Sequence, residues 1–317
     1  MMLMMKGILF NYKEDLTGFI SLSNQNQVEN KVENQIKNQV KNKIKNQIKN
    51  QVENQIKNQA IVFIHGLTEG FLSTSYLGIL EKEVTRIGFH FVQFLMRSSY
   101  KSAGLETLET DSEDIENLLN FLQKKFNCEK FILIGHSTGC QNIVHFLKTK
   151  KPSFSLVSHC ILQAPVSDRD YITKLPEFDM NSLVFAQKCI ERNKKKEIIN
   201  QNIFQSPFCA ERWFSLCSKE GEDDMFSEDL SKEELSEKFS QILQNILLVF
   251  SSNDEYVPNL VSYPNLASRI SSSFINAKSV TLKLIEGAPH NLKLHEEEFV
   301  NFVIEWILKL ESKSNLI

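Results

Sequence analysis

Phe131-Ile132-Leu133-Ile134-Gly135-His136-Ser137-Thr138-Gly139-Cys140-Gln141 is an apolar run that breaks into Gly-x-Ser-x-Gly and then resumes on helical spacing. Residues 131–134 read as a short buried strand, and Ile143, Val144, Phe146 and Leu147 continue as one face of a helix. A serine on a sharp strand-to-helix turn sits in strained backbone, which only small neighbours two residues away on either side allow. Gly135 and Gly139 are those neighbours. The helix that starts there turns its free N–H groups and the positive end of its dipole toward an oxyanion. The pentapeptide alone arises by chance about one time in ten in a chain of this length. Its strand–turn–helix setting separates it from a plain Gly-rich turn and nominates Ser137 as a nucleophile.

Outward from this turn, strand-like and helix-like segments alternate. Residues 6–12 and 18–22 read as a leading hairpin, and 60–64, 90–95, 131–134, 158–162, 246–250 and 279–285 as strands of a central sheet. Amphipathic stretches at 74–87, 107–126, 141–149 and 296–310 read as helices. This alternation predicts an α/β fold, a mainly parallel sheet covered by helices on both faces, as one domain over residues 1–317. Residues 170–240 break the rhythm; they are helix-like, charged and rich in Phe, and are expected to form a lid or cap that selects substrate.

A low-complexity tract at 24–59 contains a four-residue repeat, Val/Ile-Lys/Glu-Asn-Gln/Lys, with apolar residues at 28, 32, 36, 40, 44, 48, 52 and 56. A period of four drifts about 40° per repeat around a helix, and Asn is a poor helix former, so a solvated insertion is expected, with a self-association helix as the alternative. The whole chain of 317 residues carries a charge of −3, from 36 basic and 39 acidic side chains, which excludes an extended cationic surface for nucleic acid. No stretch reaches the roughly 18 apolar residues of a membrane span, and the short apolar start broken by Lys6 does not read as a signal peptide. Six cysteines without a C-x-x-C pair or metal spacing point to a reduced, cytoplasmic protein with no metal.

A serine hydroxyl needs a neutral imidazole to take its proton and a carboxylate to fix the tautomer, in the chain order serine, acid, histidine. Of seven histidines, His65, His90 and His136 precede Ser137, His145 lies in the helix after it, and His159 begins an apolar strand. His290 follows a strand and a loop, at the carboxyl end of the sheet where ligand sites gather; His295 is the alternative. Asp254 follows the apolar run 246–250 and is the expected acid, with Glu255 beside it. Asp168 occupies the equivalent place one strand earlier, as a reserve acid or a cap. The expected oxyanion donors are the backbone N–H groups of Thr138 and of Leu67, the latter in the loop that opens at His65-Gly66.

Phe63-Ile64-His65-Gly66-Leu67-Thr68-Glu69-Gly70, Arg97-Ser98-Ser99-Tyr100, the Ser137 stretch, Gln163-Ala164-Pro165-Val166-Ser167-Asp168-Arg169 and Ser252-Asn253-Asp254-Glu255-Tyr256-Val257-Pro258 follow one another in an order that resembles an α/β-hydrolase family. That family includes fungal siderophore esterases acting on fusarinine-type hydroxamate esters. The resemblance implies a serine esterase with Ser137, Asp254 and His290 as its triad, no cofactor, and a small-molecule ester substrate. Lys101-Ser102-Ala103-Gly104 stands where the family tends to have a Gly-Trp-Gly turn, and His65 where a second glycine is common. Alternatives are an amidase, peptidase or acyltransferase with the same triad, or a hydrolase-fold protein that binds a ligand or partner without turnover. Oligomeric state is left open.

Overall fold

A computed structural model describes residues 5–23, 58–200 and 203–314; the tract expected at 24–59 lies outside these residues except for Asn58 and Gln59. The leading hairpin is β1 (Ile8–Lys13) and β2 (Leu16–Ser21). It is followed by β3 (Gln59–Ile64), β4 (His90–Phe94), β5 (Lys130–His136) and β6 (Val157–Gln163). A small ribbon of β7 (Ile198–Ile199) and β8 (Phe208–Cys209) precedes β9 (Asn245–Ser251) and β10 (Ser279–Ile285). Gln59 is thus the first residue of a buried strand and not the end of the repeat. The eight longer strands lie in the order β1-β2-β4-β3-β5-β6-β9-β10. All pairings from β4 to β10 are parallel, and the hairpin joins antiparallel through β2 and β4.

Successive strand residues face opposite sides, and here both sides are apolar. Ala60, Val62 and Ile64 of β3, Phe131 and Leu133 of β5, and Ile246, Leu248 and Phe250 of β9 join one buried cluster. Ile61, Phe63, Ile132, Ile134, Leu247 and Val249 join a second on the opposite face. Each fully buried aliphatic or aromatic side chain of this kind contributes about 1.5–3 kcal/mol. The first face is covered by α2 (Leu108–Phe126) and α3 (Gly139–Thr149), the second by α1 (Leu77–Arg86). Helix α2 has the signals expected of its ends: the Thr107 hydroxyl accepts the Thr110 N–H, Glu109 and Asp111 sit in the first turn, Lys124 and Lys125 in the last, and Asn127 ends it in the left-handed conformation. Helix α1 begins three residues later than expected, after a turn closed by the Leu77 N–H on the Thr74 carbonyl.

The stretch after β6 holds α4 (Asp168–Ile172), α5 (Met180–Glu191), the β7–β8 ribbon, α6 (Ala210–Cys217) and α7 (Lys232–Phe239). It is therefore less uniformly helical than its composition implies. The part from Ile172 to Cys217 has its own apolar cluster, centred on Phe208, Trp213 and Leu216, and Leu67 packs against it. Helix α8 (Tyr263–Ser272), not expected from its Asn- and Ser-rich sequence, buries Leu266, Ala267 and Ile270. Helix α9 (Glu296–Ser314) covers the second face with Phe299, Val300, Val303 and Ile307.

Arg212 of α6 is buried and donates to Asp223 at 2.6 Å, with Asp111 of α2 and Asp168 close enough to feel its charge. Burial pushes the Asp111 and Asp168 carboxyls up to about 7, more than the Arg212 guanidinium lowers them. Folded-state carboxyls raised in this way bind protons that the unfolded chain has already lost, so stability falls as pH rises from about 4 to about 7. Melting temperature is expected to drop between pH 5 and pH 8, and Asp111→Asn to reduce that drop; thermal scans at the two pH values measure both.

Candidate active site

The loops after β3, β5, β6, β9 and β10 leave the sheet at its carboxyl edge, where parallel sheets place their ligand sites. They meet at a cleft lined by Leu67, Thr68, Glu69, Ser137, Val166, Ser167, Asp168, Tyr256 and His290, with Tyr171 and Phe204 from the segment after β6. Ser137 stands at the end of β5 with φ of 54°. A non-glycine residue in that left-handed region costs about 1–2 kcal/mol. Packing holds it there: the Ser137 N–H donates to the Gln163 carbonyl at 3.0 Å and the Cys140 N–H to the Ser137 carbonyl at 2.8 Å. A Cβ at Gly135 would stand 2.5 Å from the Gly139 carbonyl oxygen, and one at Gly139 would meet the Ile64 carbonyl oxygen. The two glycines therefore let the turn close against β3.

Asp254 is fully buried, and its Oδ2 lies 2.8 Å from His290 Nδ1. Its Oδ1 accepts the Tyr256 N–H at 3.0 Å, which fixes the loop that carries it. The backbone of His290 is held at both ends: its N–H donates to Glu255 Oε2 at 2.9 Å, and its carbonyl accepts from Gln163 Nε2 at 2.9 Å. The rings of Tyr256 and His136 flank the imidazole at centroid distances of 4.5 and 4.9 Å. His295 lies apart, 3.7 Å from Glu298 at the start of α9. His145 bonds Ser112 at 2.7 Å, and His159 lies 3.4 Å from Glu311.

Asp168 lines the cleft and accepts from Gln141 Nε2 at 2.8 Å. The cap of α4 is not Asp168 but Ser167, whose hydroxyl accepts the Asp170 N–H at 2.9 Å. Thr138 heads α3 at the N-cap position. The Leu67 N–H donates to the Thr138 hydroxyl at 3.2 Å, so the two residues named as oxyanion donors stand side by side and the second N–H already has an acceptor. His65 is buried, contacts the Gly66 carbonyl through Nδ1 at 2.9 Å and accepts the Ser99 hydroxyl at Nε2 at 2.8 Å. Burial pushes its imidazole down, in keeping with a neutral ring that has one donor and one acceptor nitrogen. Ser99 also accepts the Met96 N–H at 2.8 Å, which explains the Arg97-Ser98-Ser99-Tyr100 segment as a clamp on the loop after β3.

Five residues near Ser137 escape sequence reasoning as site residues: Glu69, His136, Gln163, Glu255 and Tyr256. His136 and Gln163 signal only as polar residues ending apolar strands, Glu255 only as the neighbour of Asp254, and Glu69 and Tyr256 are ordinary loop residues in the sequence. Among the described residues, no helix is long and apolar enough to cross a membrane.

The chain is 29% identical over 266 residues to the fusarinine C esterase sidJ of Aspergillus fumigatus, covering 67% of this chain and 75% of that protein. It is 28% identical over 255 residues to the UPF0613 protein PB24D3.06c of Schizosaccharomyces pombe, covering 73% of this chain and 80% of the relative. Among solved structures, the siderophore hydrolase EstB from Aspergillus fumigatus superposes with a TM-score of 0.70 at 24% identity, over 98% of this chain and 97% of that one. A second neighbour, titled an alpha/beta hydrolase fold protein of unknown function, superposes with a TM-score of 0.68 at 17% identity, over 98% of each chain. The sheet order and these superpositions make this an α/β-hydrolase fold. Residues 25–310 match the family described as "Protein of unknown function (DUF1749)", and the chain belongs to it.

Proposed function

We propose that the chain is a serine hydrolase that cleaves a carboxylic ester through an acyl-enzyme. The carrying observation is the 2.8 Å contact of Asp254 with His290 in the cleft that Ser137 enters on left-handed backbone. Asp254 accepts a hydrogen bond from the Nδ1–H of His290, which leaves Nε2 free to take the Ser137 proton as Oγ attacks the ester carbonyl. The developing oxyanion takes the Thr138 N–H and replaces the Thr138 hydroxyl on the Leu67 N–H. His290 then passes its proton to the departing alcohol, and water repeats the sequence on the acyl-enzyme. The names of the fusarinine C esterase and of the esterase AN6793 of Emericella nidulans, 24% identical over 273 residues, support an ester substrate, and a siderophore-type hydroxamate ester is the first candidate. Six buried free thiols support a reducing, cytoplasmic setting.

The cleft also discriminates by charge. Glu69 and Asp168 line it beside Tyr171, Phe204 and Tyr256, and none of the described lining residues is a lysine or arginine. An ester with an anionic acyl group finds no lysine or arginine among these residues to pair with, so the cost of stripping its charge of water goes uncompensated. A chromogenic panel is expected to show turnover of neutral acyl esters with kcat/KM at least about tenfold above a carboxylate-bearing acyl ester of equal length, a difference of about 1.4 kcal/mol. No turnover of any ester, or faster turnover of amides in the same panel, would sink the assignment.

A further inference from the structure

His136 precedes Ser137 and is buried under the cleft. Its Nδ1 lies 2.5 Å from Gln163 Oε1, and its Nε2 lies 3.5 Å from Glu69 Oε1. The Gln163 amide has a fixed sense, because its Nε2 donates to the His290 carbonyl; Oε1 therefore faces Nδ1 and also accepts the Tyr76 hydroxyl at 3.2 Å. Both imidazole nitrogens thus face acceptors, an amide oxygen and a carboxylate, and only the doubly protonated ring supplies a hydrogen to each. Glu69 in turn accepts the Gly66 N–H at 2.8 Å through Oε2, one residue before Leu67. A continuous polar chain runs from the loop after β3 through Glu69, His136 and Gln163 to the backbone of His290.

We propose that His136, held as an imidazolium between Glu69 and Gln163, is a positioning residue that ties the loop of the oxyanion donor Leu67 to the backbone of His290. This role rests on Ser137 and His290 being the nucleophile and base proposed above. The titratable groups facing His136 are Glu69 and His65 from the loop after β3, Asp254 after β9 and His290 after β10, while Tyr76 before α1 bonds the same Gln163 oxygen. Burial alone would push the His136 imidazole down, but Glu69 outweighs it and the net shift is upward. Burial would likewise raise Glu69, yet His136 holds its carboxyl at about 2. A folded-state histidine raised in this way keeps its proton through the ordinary histidine range and loses it as pH rises through its raised folded value. Above that point one of its two bonds goes, and either the His290 carbonyl or the Leu67 loop is released.

The test is the pH profile of kcat and kcat/KM for a neutral chromogenic ester, with labelling by a fluorophosphonate as a count of competent sites. The wild type is expected to decline on the alkaline side. His136→Gln is expected to lower kcat by about 10- to 100-fold at neutral pH, with KM within about twofold, and to abolish that alkaline decline. Glu69→Gln removes the carboxylate that retains the proton, so the decline moves to lower pH by about one unit or more. If His136→Gln fails to fold, Glu69→Gln decides alone. A labelled, active His136→Gln enzyme with the wild-type alkaline limb, or an unmoved limb in Glu69→Gln, would overturn the positioning role. A wild type that takes no label would instead overturn the nucleophile and base, and the role with them.

Discussion

Ser137→Ala is expected to lower kcat for ester hydrolysis by about 10⁵- to 10⁶-fold, the scale seen when a serine hydrolase loses its nucleophile and keeps its oxyanion donors. The effect is large because the proposed acyl-enzyme forms on this one oxygen, and the side chain left by the substitution has no nucleophilic atom. Ser137 is presented by a turn with φ of 54°, and the turn closes only because Gly135 and Gly139 leave room for backbone against backbone. Alanine keeps that turn, with the same left-handed cost as serine, so the melting temperature is expected to stay close to that of the wild type. Loss of turnover with an unchanged thermal transition separates a missing nucleophile from a damaged fold.

Asp254→Asn is expected to lower kcat by about 10⁴-fold, the next largest effect. An amide at this place no longer accepts the Nδ1 proton without a competing donor, so the imidazole is no longer held with Nε2 free toward Ser137. Substrate binding makes no use of this buried carboxyl, and KM is expected to change little. Asp168→Asn is the contrast: Asp168 bonds Gln141 at 2.8 Å, whereas Asp254 bonds His290. The Asp168 change is expected to cost less than about tenfold in kcat. Steady-state kinetics of the two variants side by side distinguishes the acid from its reserve; a greater loss in Asp168→Asn would exchange their roles.

The strands that precede Ser137, Asp254 and His290 were legible as apolar runs, because such runs are what a two-faced sheet requires. His290 was separable from His295 by its place between strand and helix, and His295 is paired with Glu298 instead. The link from Glu69 through His136 to Gln163 was not legible. It joins residues 69, 136 and 163, which meet only after β3, β5 and β6 are set side by side in register. Glu255 was visible as a neighbour of Asp254, but its bond to the His290 N–H depends on how two loops pack. In the segment after β6, strands of two residues carry no periodicity, so the β7–β8 ribbon had no sequence signature. Helix α8 was hidden by weak helix formers and is held by burial of Leu266 and Ile270.

The most direct measurement is peptide mapping by mass spectrometry after reaction of the intact protein with a fluorophosphonate. Stoichiometric modification of Ser137, abolished by Ser137→Ala and strongly slowed by Asp254→Asn, is the predicted result. An unmodified Ser137 peptide, or equal labelling of the Ser137→Ala protein, would contradict it.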